Sequence, residues 1–271
     1  KNMHDWLISK KRYWGLALPI FECQCGNFEV IGSKEELEKR AVEGWEKFKD
    51  NSPHRPWIDS VKIKCKKCDK LISRIADVGN PWLDAGIVSY STTNYFSDKL
   101  YWKKWFPVEL VCESFPGQFK NWFYSLLVAS AVLEDTNPMK TIFGYALVHD
   151  EKGEEMHKSK GNAVWFDEAV EKIGADPMRW MYSKQNPAEN LNFGYNTADE
   201  VKRRLLTLYN VYTFFNTYVK KEEFENIDLD PKPKNVLDKW ILSKIDHLIG
   251  ASEFNLEKYD VAKVVLAIED F

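Results

Sequence analysis

The sequence is short of several features that would define whole classes of protein. It has no apolar stretch long enough to cross a bilayer and no signal peptide. Its five cysteines do not form an obvious disulfide framework. A net charge of -3 excludes a polybasic surface that grips nucleic acid everywhere, although it leaves room for local basic patches. These absences predict a globular, cytoplasmic protein with no membrane partner.

The length and the two ends of the chain indicate its scale. With 271 residues, of which 44% are hydrophobic and 29% charged, the chain can bury a sizeable core and should hold about two domains. It begins at Lys1 rather than at a methionine, and it stops within an apolar helical pattern at residues 261–271. We therefore expect an excised piece of a longer protein.

A basic loop at residues 150–162 is the segment around which the rest of the sequence is organised. The apolar run 141–148 predicts a buried strand that enters the loop, and residues 165–173 predict a helix that leaves it. The residues at its tip are Lys158, Ser159, Lys160 and Gly161. They suit a polyanion such as triphosphate, because ammonium groups act as point charges and glycine lets the backbone come close. The alternative is a solvated basic turn, since short motifs of this kind are weakly specific.

Two short features precede the loop. Residues 5–20 place three cations between two tryptophans, a pattern that can meet phosphate or carboxylate or can simply form an amphipathic connector. Four cysteines then form a C-x-C pair and a C-x2-C pair: Cys23, Cys25, Cys65 and Cys68. Paired thiolates on tight turns suit tetrahedral zinc, because the metal replaces a core that so short a segment cannot build. The C-x-C pair is tighter than the usual knuckle, so a site that lacks one ligand, or free reduced thiols, stays open.

Local patterns in this part of the chain predict further elements. Residues 33–49 predict one helix that starts with a Ser33–Glu36 capping box and covers the cysteine turns. Cys112, in an apolar run, is interpreted as a core residue.

The middle of the chain predicts the phosphate-binding side of a parallel α/β sheet. Residues 80–86 place Trp82 and Asp84 just before a glycine turn. A strand at 108–112, a glycine-containing loop and a helix at 122–134 are predicted to follow. In a parallel α/β sheet this order places the loop at the carboxyl end of a strand, where ligands bind. For Trp82 and Trp122, plain packing in the core is the alternative.

The last third predicts helices. A turn before Pro177 leads into a helix, and a capping box at Thr197 and Glu200 predicts a long helix with one apolar face. The acidic, proline-broken segment 222–234 predicts a linker. Two further helices are predicted at 236–249 and 256–271, with Gly250 ending the first of them. A helical bundle with no role in RNA binding is the alternative.

Four segments, in this order and spacing, resemble the second half of a class I aminoacyl-tRNA synthetase. The segments are 6–15, 82–86, 118–123 and 156–162. The resemblance covers nearly the whole chain and is greatest to the isoleucine-specific members of the family. It implies that these segments follow a large editing insertion, complete a Rossmann catalytic domain and lead into an anticodon-binding domain. The family's first ATP motif, of the HIGH type, and the editing domain are absent from this sequence.

The resemblance also implies a role for each matching residue. Lys158, the second lysine of the mobile KMSKS-type loop, would stabilise the pyrophosphate leaving group as isoleucine attacks the α-phosphate of ATP. The other residues implied to bind ATP are Met156, His157, Ser159, Lys160, Gly161, Asn162, Gln118 and Glu113. The residues implied to form the amino-acid site are Trp82, Trp122 and Asp84, with the two tryptophans as walls around the isoleucine side chain.

Some positions depart from the family's pattern. Glu155 stands where the loop normally begins with lysine, and His157 stands where it has serine, so one phosphate-binding charge is reversed in sign. Lys160 can compensate from the other side. In the tryptophan turn, the usual Asp, Phe and Ser are replaced by Asn80, Leu83 and Ala85 while Gly86 is unchanged, and residues 119–121 replace a usual His-Arg-Gly. These changes indicate a divergent branch of the family.

Together these inferences predict an α/β Rossmann-type half domain with a small cysteine (zinc) module, followed by an α-helical bundle. The predicted parts are a connector returning from the missing editing insertion at 1–20, the cysteine module at 21–75, the second half of the catalytic domain at 76–185 and the start of the anticodon-binding domain at 186–271. The predicted activity is isoleucine–tRNA ligation with ATP and Mg²⁺, and with Zn²⁺ if the cysteine site is complete. The predicted partners are isoleucine, tRNA(Ile) and the missing N-terminal half of the same chain. Specificity for valine or leucine, and a non-catalytic relative that binds tRNA or protein, are the alternatives.

Overall fold

The computed structural model describes residues 5–220, 222 and 232–271, and the chain divides into two compact units. The first unit comprises the chain up to Leu110 together with Gly117–Thr141, and the second comprises Val111–Pro116 and everything from Ile142 onward. The division into four parts expected from the sequence stays a prediction.

Short antiparallel strands build the cysteine-containing part of the first unit. The strands are β1 Ser9–Lys10, β2 Ile20–Glu22, β3 Phe28–Val30, β4 Ala41–Glu43, β5 Lys62–Lys64, β6 Leu71–Ser73 and β7 Val78–Gly79. β2 pairs with β3, β5 pairs with β4 and β6, and β1 pairs with β7, all antiparallel. Phe21, Val61, Ile63 and Cys65 are almost fully buried and form the centre of this small core.

The single helix expected at 33–49 is wrong, because the chain changes direction twice within it. The segment forms α1 Lys34–Arg40, strand β4 and α2 Trp45–Phe48, with Gly44 at φ +78° between strand and second helix. A side chain at Gly44 would meet the backbone oxygen of Ser60 at 1.9 Å, so the close pairing of β4 with β5 takes precedence over helical periodicity. The predicted cap is confirmed, since Ser33 Oγ accepts a hydrogen bond from the amide of Glu36.

The rest of the first unit is mostly helical. Its helices are α3 Pro81–Gly86, α4 Val88–Ser91, α5 Lys99–Trp105 and α7 Trp122–Glu134. The short helix α6, Phe115–Gln118, begins in the second unit and ends in the first. The segment expected as a glycine turn is therefore the short helix α3, capped by Asn80, whose side chain accepts from the amide of Trp82 at 3.1 Å. α3 packs against α7, whose predicted bounds are confirmed.

Strands β8 Val108–Ser114 and β9 Met139–Tyr145 pair with each other, and β8 includes the strand predicted at 108–112. Two other expectations in this region are wrong. Residues 141–148 are not one buried strand: β9 ends at Tyr145, and no residue of this run is buried. Cys112, expected in the core, is exposed, because neighbouring side chains of a strand point to opposite faces and the buried position of β8 is Val111.

The second unit has a short parallel ladder and a helical core. Strand β10 Val148–Asp150 pairs in parallel with β11 Leu191–Phe193. The helices are α8 Phe166–Ile173, α9 Ala175–Lys184, α10 Tyr195–Tyr218, α11 Val236–Leu256 and α12 Val261–Asp270. Ala169, Ile173, Met178, Phe193 and Ala198 lie at the centre of this core. Within the part of the chain that the structure describes, no helix combines the length and apolarity needed to span a bilayer.

Several helix ends in this unit differ from expectation. The capping box at Thr197 is wrong, because α10 begins at Tyr195 and places Thr197 inside the helix. Gly250 does not end α11, since the helix continues to Leu256. The last helix begins at Val261, where the side chain of Asp260 provides the cap. Most of the predicted linker at 222–234 lies outside the described residues.

Candidate functional site

Asp150 organises the base of the lysine-containing loop in the second unit. Its Oδ1 accepts hydrogen bonds from the amides of Lys152 and Glu154, each at 2.9 Å, and its Oδ2 accepts from Asn162 Nδ2 at 2.8 Å. The bond from Asn162 and then that from the Glu154 amide hold the pKa of Asp150 below its ordinary value. The carboxylate therefore joins the entry of the loop to its exit.

Asn162 closes the loop from the other end. Its Oδ1 accepts from the amide of His157 at 3.0 Å, while its Nδ2 also donates to the carbonyl of Glu155 at 3.1 Å. Between these contacts, residues Lys158–Lys160 form a 3₁₀ turn that ends at Gly161. The φ of Gly161 is +69°, in the left-handed region that favours glycine. Asn162 and Gly161 thus define the shape of the turn that carries the lysines, while their part in ATP binding stays a prediction.

The two lysines of the loop present their charges to solvent. The Lys158 ammonium lies over the Trp165 ring, 4.6 Å from its centroid, and neither Lys158 nor Lys160 forms an ion pair within the described residues. Ser159 is exposed beside them, whereas Met156 is half-buried against the helical core. The arrangement leaves two cations on one turn available to an anionic ligand.

The two departures from the family's pattern in this loop contact each other. His157 Nε2 lies 3.2 Å from Glu155 Oε2, with both side chains more than half exposed. Glu155 is therefore occupied with His157 rather than with either lysine. Within the described residues, no ion pair joins Glu155 to Lys158 or Lys160.

In the first unit, the two predicted tryptophans lie on helices that approach closely. The indole Nε1 of Trp122, in α7, donates to the carbonyl of Ala85 in α3 at 2.9 Å. The approach depends on Gly86, where an added Cβ would lie 2.8 Å from the Ser125 oxygen. Trp82 and Trp122 are both half-buried, and their predicted part in the amino-acid site stays a prediction.

The remaining predicted residues divide between the units. Asp84 is exposed on α3, and Gln118 Oε1 accepts from the amide of Trp122 at 3.4 Å, both in the first unit. Glu113 belongs to the second unit, where its Oε1 accepts from the Ser114 amide at 2.8 Å and from Tyr145 Oη at 2.9 Å. The Ser114 amide and then the tyrosine lower the pKa of Glu113. Sequence reasoning missed Tyr145 as a partner, because no local pattern links it to a residue so distant in the chain.

The four predicted cysteines meet in one cluster. Cys23 and Cys68 have their Sγ atoms 3.4 Å apart, Cys25 and Cys65 have theirs 3.7 Å apart, and all four sulfurs lie within 4.8 Å of one another. A tetrahedral zinc with Zn–S bonds near 2.3 Å places its sulfurs about 3.8 Å apart, so the donor set fits this metal. Asn27 Nδ2 also donates to Cys65 Sγ at 3.5 Å, a contact that orients one ligand.

The protonation of these thiols is strongly perturbed. The amide of Lys67 donates to Cys65 Sγ at 3.4 Å and is the largest influence that lowers the pKa of Cys65 to about 6. The amide of Cys25 lowers the pKa of Cys23, but burial and the neighbouring thiols outweigh it and raise that pKa to about 12. Thiols this close cannot all ionise unless a cation balances their charge.

A cavity of about 680 Å³ lies within the second unit, and Tyr145, the partner of Glu113, is one of its lining residues. Segments 143–148, 182–191 and 258–262 contribute its lining, and none of the predicted site residues is among them. Its walls are mostly apolar, so it does not resemble a phosphate site.

Comparison with known proteins identifies the class. The model of the class I tRNA synthetases (I, L, M and V) matches residues 1–194, and the chain therefore belongs to this family. A solved structure, the ternary complex of Agrobacterium radiobacter K84 agnB2 LeuRS-tRNA-LeuAMS, shares the fold, with a TM-score of 0.73 and 18% identity over 99% of this chain and 35% of that one. The chain thus has the mixed α/β and helical fold of a class I synthetase, and the predicted family is confirmed.

Curated relatives narrow the similarity further. The chain is 38% identical over 275 residues to the isoleucine–tRNA ligase of Clostridium tetani and 36% identical over 293 residues to that of Thermococcus kodakarensis. Both matches cover the whole of this chain but only 26% and 27% of the relatives. The chain therefore spans about a quarter of the length of the isoleucine–tRNA ligases that it matches.

Proposed function

We propose that this chain is part of an isoleucine–tRNA ligase, and that its parent activates isoleucine with ATP and transfers it to tRNA(Ile). The observation that carries the proposal is the similarity to isoleucine–tRNA ligases along the whole chain, at 38% identity for the relative from Clostridium tetani. We propose further that the α/β segments around β8 and β9 are the second half of a Rossmann catalytic domain, and that α10 to α12 begin the anticodon-binding domain.

In this proposal the lysine-containing loop stabilises the charge that moves toward pyrophosphate. Lys158 would carry most of the effect, with Lys160 beside it on the same turn. Neither lysine is engaged by a carboxylate in the described residues, so little would be lost when a triphosphate approaches. When bound with ATP, Mg²⁺ would supply further positive charge beside these lysines. Met156, Gln118 and Glu113 are the proposed contacts to the nucleotide.

The proposed amino-acid site lies on α3 and α7. Trp82 and Trp122 would form its walls, and Asp84 would lie at its exposed edge. The hydrogen bond from Trp122 to Ala85 and the Gly86 contact fix the spacing of these two helices. A pocket with fixed walls discriminates between branched side chains by their volume, although one methylene contributes only about 1–3 kcal/mol.

We propose a structural role for zinc at Cys23, Cys25, Cys65 and Cys68. All four positions hold sulfur, which leaves no open coordination position for catalysis. The metal would supply the cation that lets the four thiols ionise together, and it would tie β2 and β3 to β5 and β6.

The experiment that tests the activity is ATP/pyrophosphate exchange on the full-length parent with isoleucine, valine and leucine in turn. Exchange strongest with isoleucine is the expected result. Exchange strongest with valine or leucine would keep the enzyme class and change its substrate. No exchange with any of the three would leave a non-catalytic relative, to be examined by tRNA binding.

A further inference from the structure

Helix α10 begins without a cap of its own. Its N-cap residue, Gly194, has an extended backbone and no side chain that could accept from the first amides of the helix. The amide of Asn196 instead donates to Glu151 Oε1 at 3.1 Å. A carboxylate at this end of a 24-residue helix satisfies an unpaired donor and is favoured by the helix dipole.

Gly194 provides the space for this contact. A Cβ at Gly194 would lie 2.4 Å from Cδ of Glu151, 2.5 Å from its Cγ and 2.6 Å from its Cβ. Because the backbone at Gly194 is extended, another residue could adopt its conformation. What requires glycine here is therefore the packed side chain of Glu151.

Glu151 follows the residue that closes the lysine-containing loop. Asp150 binds Asn162 at the loop exit, while Glu151 binds the start of α10. The parallel ladder pairs Asp150 with Phe193, which brings the turn and the start of α10 together. Adjacent carboxylates thus connect one turn to two partners, the loop and the long helix.

We propose that Glu151 is a positioning residue that fastens the turn at residues 150–153 to α10 and so restricts the motion of the lysine-containing loop. Without it, the short ladder of β10 with β11 would still join the turn to the segment before α10, but the hydrogen bond to Asn196 would be lost and the loop should open more often. Its effect on catalysis rests on the proposed function, but its effect on the loop does not.

The test measures loop opening in the full-length parent by tryptic cleavage after Lys158 and Lys160, followed by mass spectrometry, and by hydrogen exchange at the start of α10. Glu151→Ala and Gly194→Ala should each speed cleavage by about 3- to 10-fold, as expected for one lost hydrogen bond. Glu151→Gln should stay within about twofold of wild type, because its amide oxygen still accepts from Asn196.

Glu154→Ala is the matched control. Glu154 is an exposed acid of the same region whose contact with Asp150 is made by its backbone amide, which the substitution retains. Cleavage in Glu151→Ala that equals cleavage in Glu154→Ala would overturn the proposal. Faster exchange at the start of α10 with unchanged cleavage of the loop would also overturn it, because Glu151 would then be only a helix cap.

Kinetics separate positioning from general stability. In ATP/pyrophosphate exchange, Glu151→Ala should lower kcat/KM for ATP by about 3- to 10-fold with the isoleucine KM unchanged, and Glu151→Gln should restore it. An equal change in the isoleucine KM would contradict a role confined to the loop. If the wild-type parent catalyses no exchange, the proposed function fails, while the cleavage measurement still decides the role of Glu151.

Discussion

Lys158 holds its ammonium group over the ring of Trp165, a contact that orients the charge without cancelling it. We predict that Lys158→Ala in the full-length parent lowers the rate of adenylate formation by about two to four powers of ten and leaves the isoleucine requirement almost unchanged. The reason is that its charge meets charge that develops only in the transition state. Pre-steady-state adenylate formation measures this rate. A rate equal to wild type would make the loop a surface turn.

Lys160 provides the comparison within the same turn. In the family's pattern its substitution costs less, but here Glu155 replaces the usual first lysine and is paired with His157. If Lys160 has taken over part of that role, Lys160→Ala will approach Lys158→Ala in effect, and the double variant will be less than additive.

Glu269 is a buried carboxylate whose charge matters for stability. It accepts from Trp180 Nε1 at 2.8 Å, from Lys184 Nζ at 2.6 Å and from Arg204 Nη1 at 2.9 Å. Burial alone would raise its pKa, but the donors led by Lys184 outweigh burial and lower the pKa below its ordinary value of 4.5. A lowered pKa in the folded state stabilises the protein above the unfolded pKa, and this stabilisation is lost as the pH falls through the folded pKa.

We therefore predict that Glu269→Gln lowers the free energy of unfolding by about 1–3 kcal/mol at pH 7 and reduces the loss of stability below about pH 4.5. Urea unfolding at several pH values measures both effects. Glu200→Gln is the matched control, because Glu200 pairs with the same Arg204 on the surface and should change stability by less than about 1 kcal/mol. Equal effects of the two substitutions would contradict a special role for the buried carboxylate.

Among elements, the approach of α3 to α7 depends on the absence of a side chain at Gly86. Gly86→Ala should destabilise the first unit by about 1–3 kcal/mol, because the new Cβ would overlap the Ser125 backbone. Gly250→Ala, in the middle of α11, has nothing within 4 Å of the new Cβ and should stabilise its helix by about 0.5–1 kcal/mol. Thermal unfolding compares the two. A neutral Gly86→Ala would mean that the helices can separate freely.

The cysteine module should depend on its metal. Purified parent should hold about one zinc in this module, and chelation should increase hydrogen exchange in β2 to β6 while α7 stays protected. Cys65→Ser should lower zinc content, and Cys112→Ser, at the exposed cysteine outside the cluster, should not. Metal analysis of the variants measures this. Four freely titrating thiols after expression in zinc-supplemented medium would remove the site.

Sequence patterns predicted several elements whose cause is local, although the local signals at Thr197 and Gly250 were wrong. The bounds of α7 and the Ser33 cap were predictable because apolar spacing and a capping side chain act within a few residues. The break at Gly44 was not, because it follows from pairing with a strand later in the chain. The same applies to Cys112, whose exposure depends on which face of β8 meets the core.

The candidate site, like the fold, could be predicted from the sequence only in part. The residue types of the loop and the four cysteines could be identified by spacing, whereas the Asp150–Asn162 closure and the Tyr145–Glu113 bond required the folded chain. A single sequence does not indicate that these residues, which are distant in the chain, form hydrogen bonds with each other.

At the scale of the whole molecule, we predict that a polypeptide of residues 1–271 forms no isoleucyl-adenylate by itself. It contains no HIGH-type ATP motif, so the nucleotide would meet only part of its site, and most of the rate depends on a preorganised site. A radiolabelled adenylate assay on this polypeptide should give background, and ATP should bind weakly. Steady adenylate synthesis would contradict the prediction.

The contact at Gly86 also bears on how substrate choice could change. If Trp82 and Trp122 face the amino acid, Gly86 sets the width of the pocket between them, although Gly86 itself would touch no substrate atom. Selection for altered specificity would then find variants at position 86 or at Ser125, which act by moving one wall relative to the other. Such variants would change the preferred side-chain volume although Trp82 and Trp122 themselves were retained. The residues that line the pocket would then be insufficient to predict which amino acid the enzyme accepts.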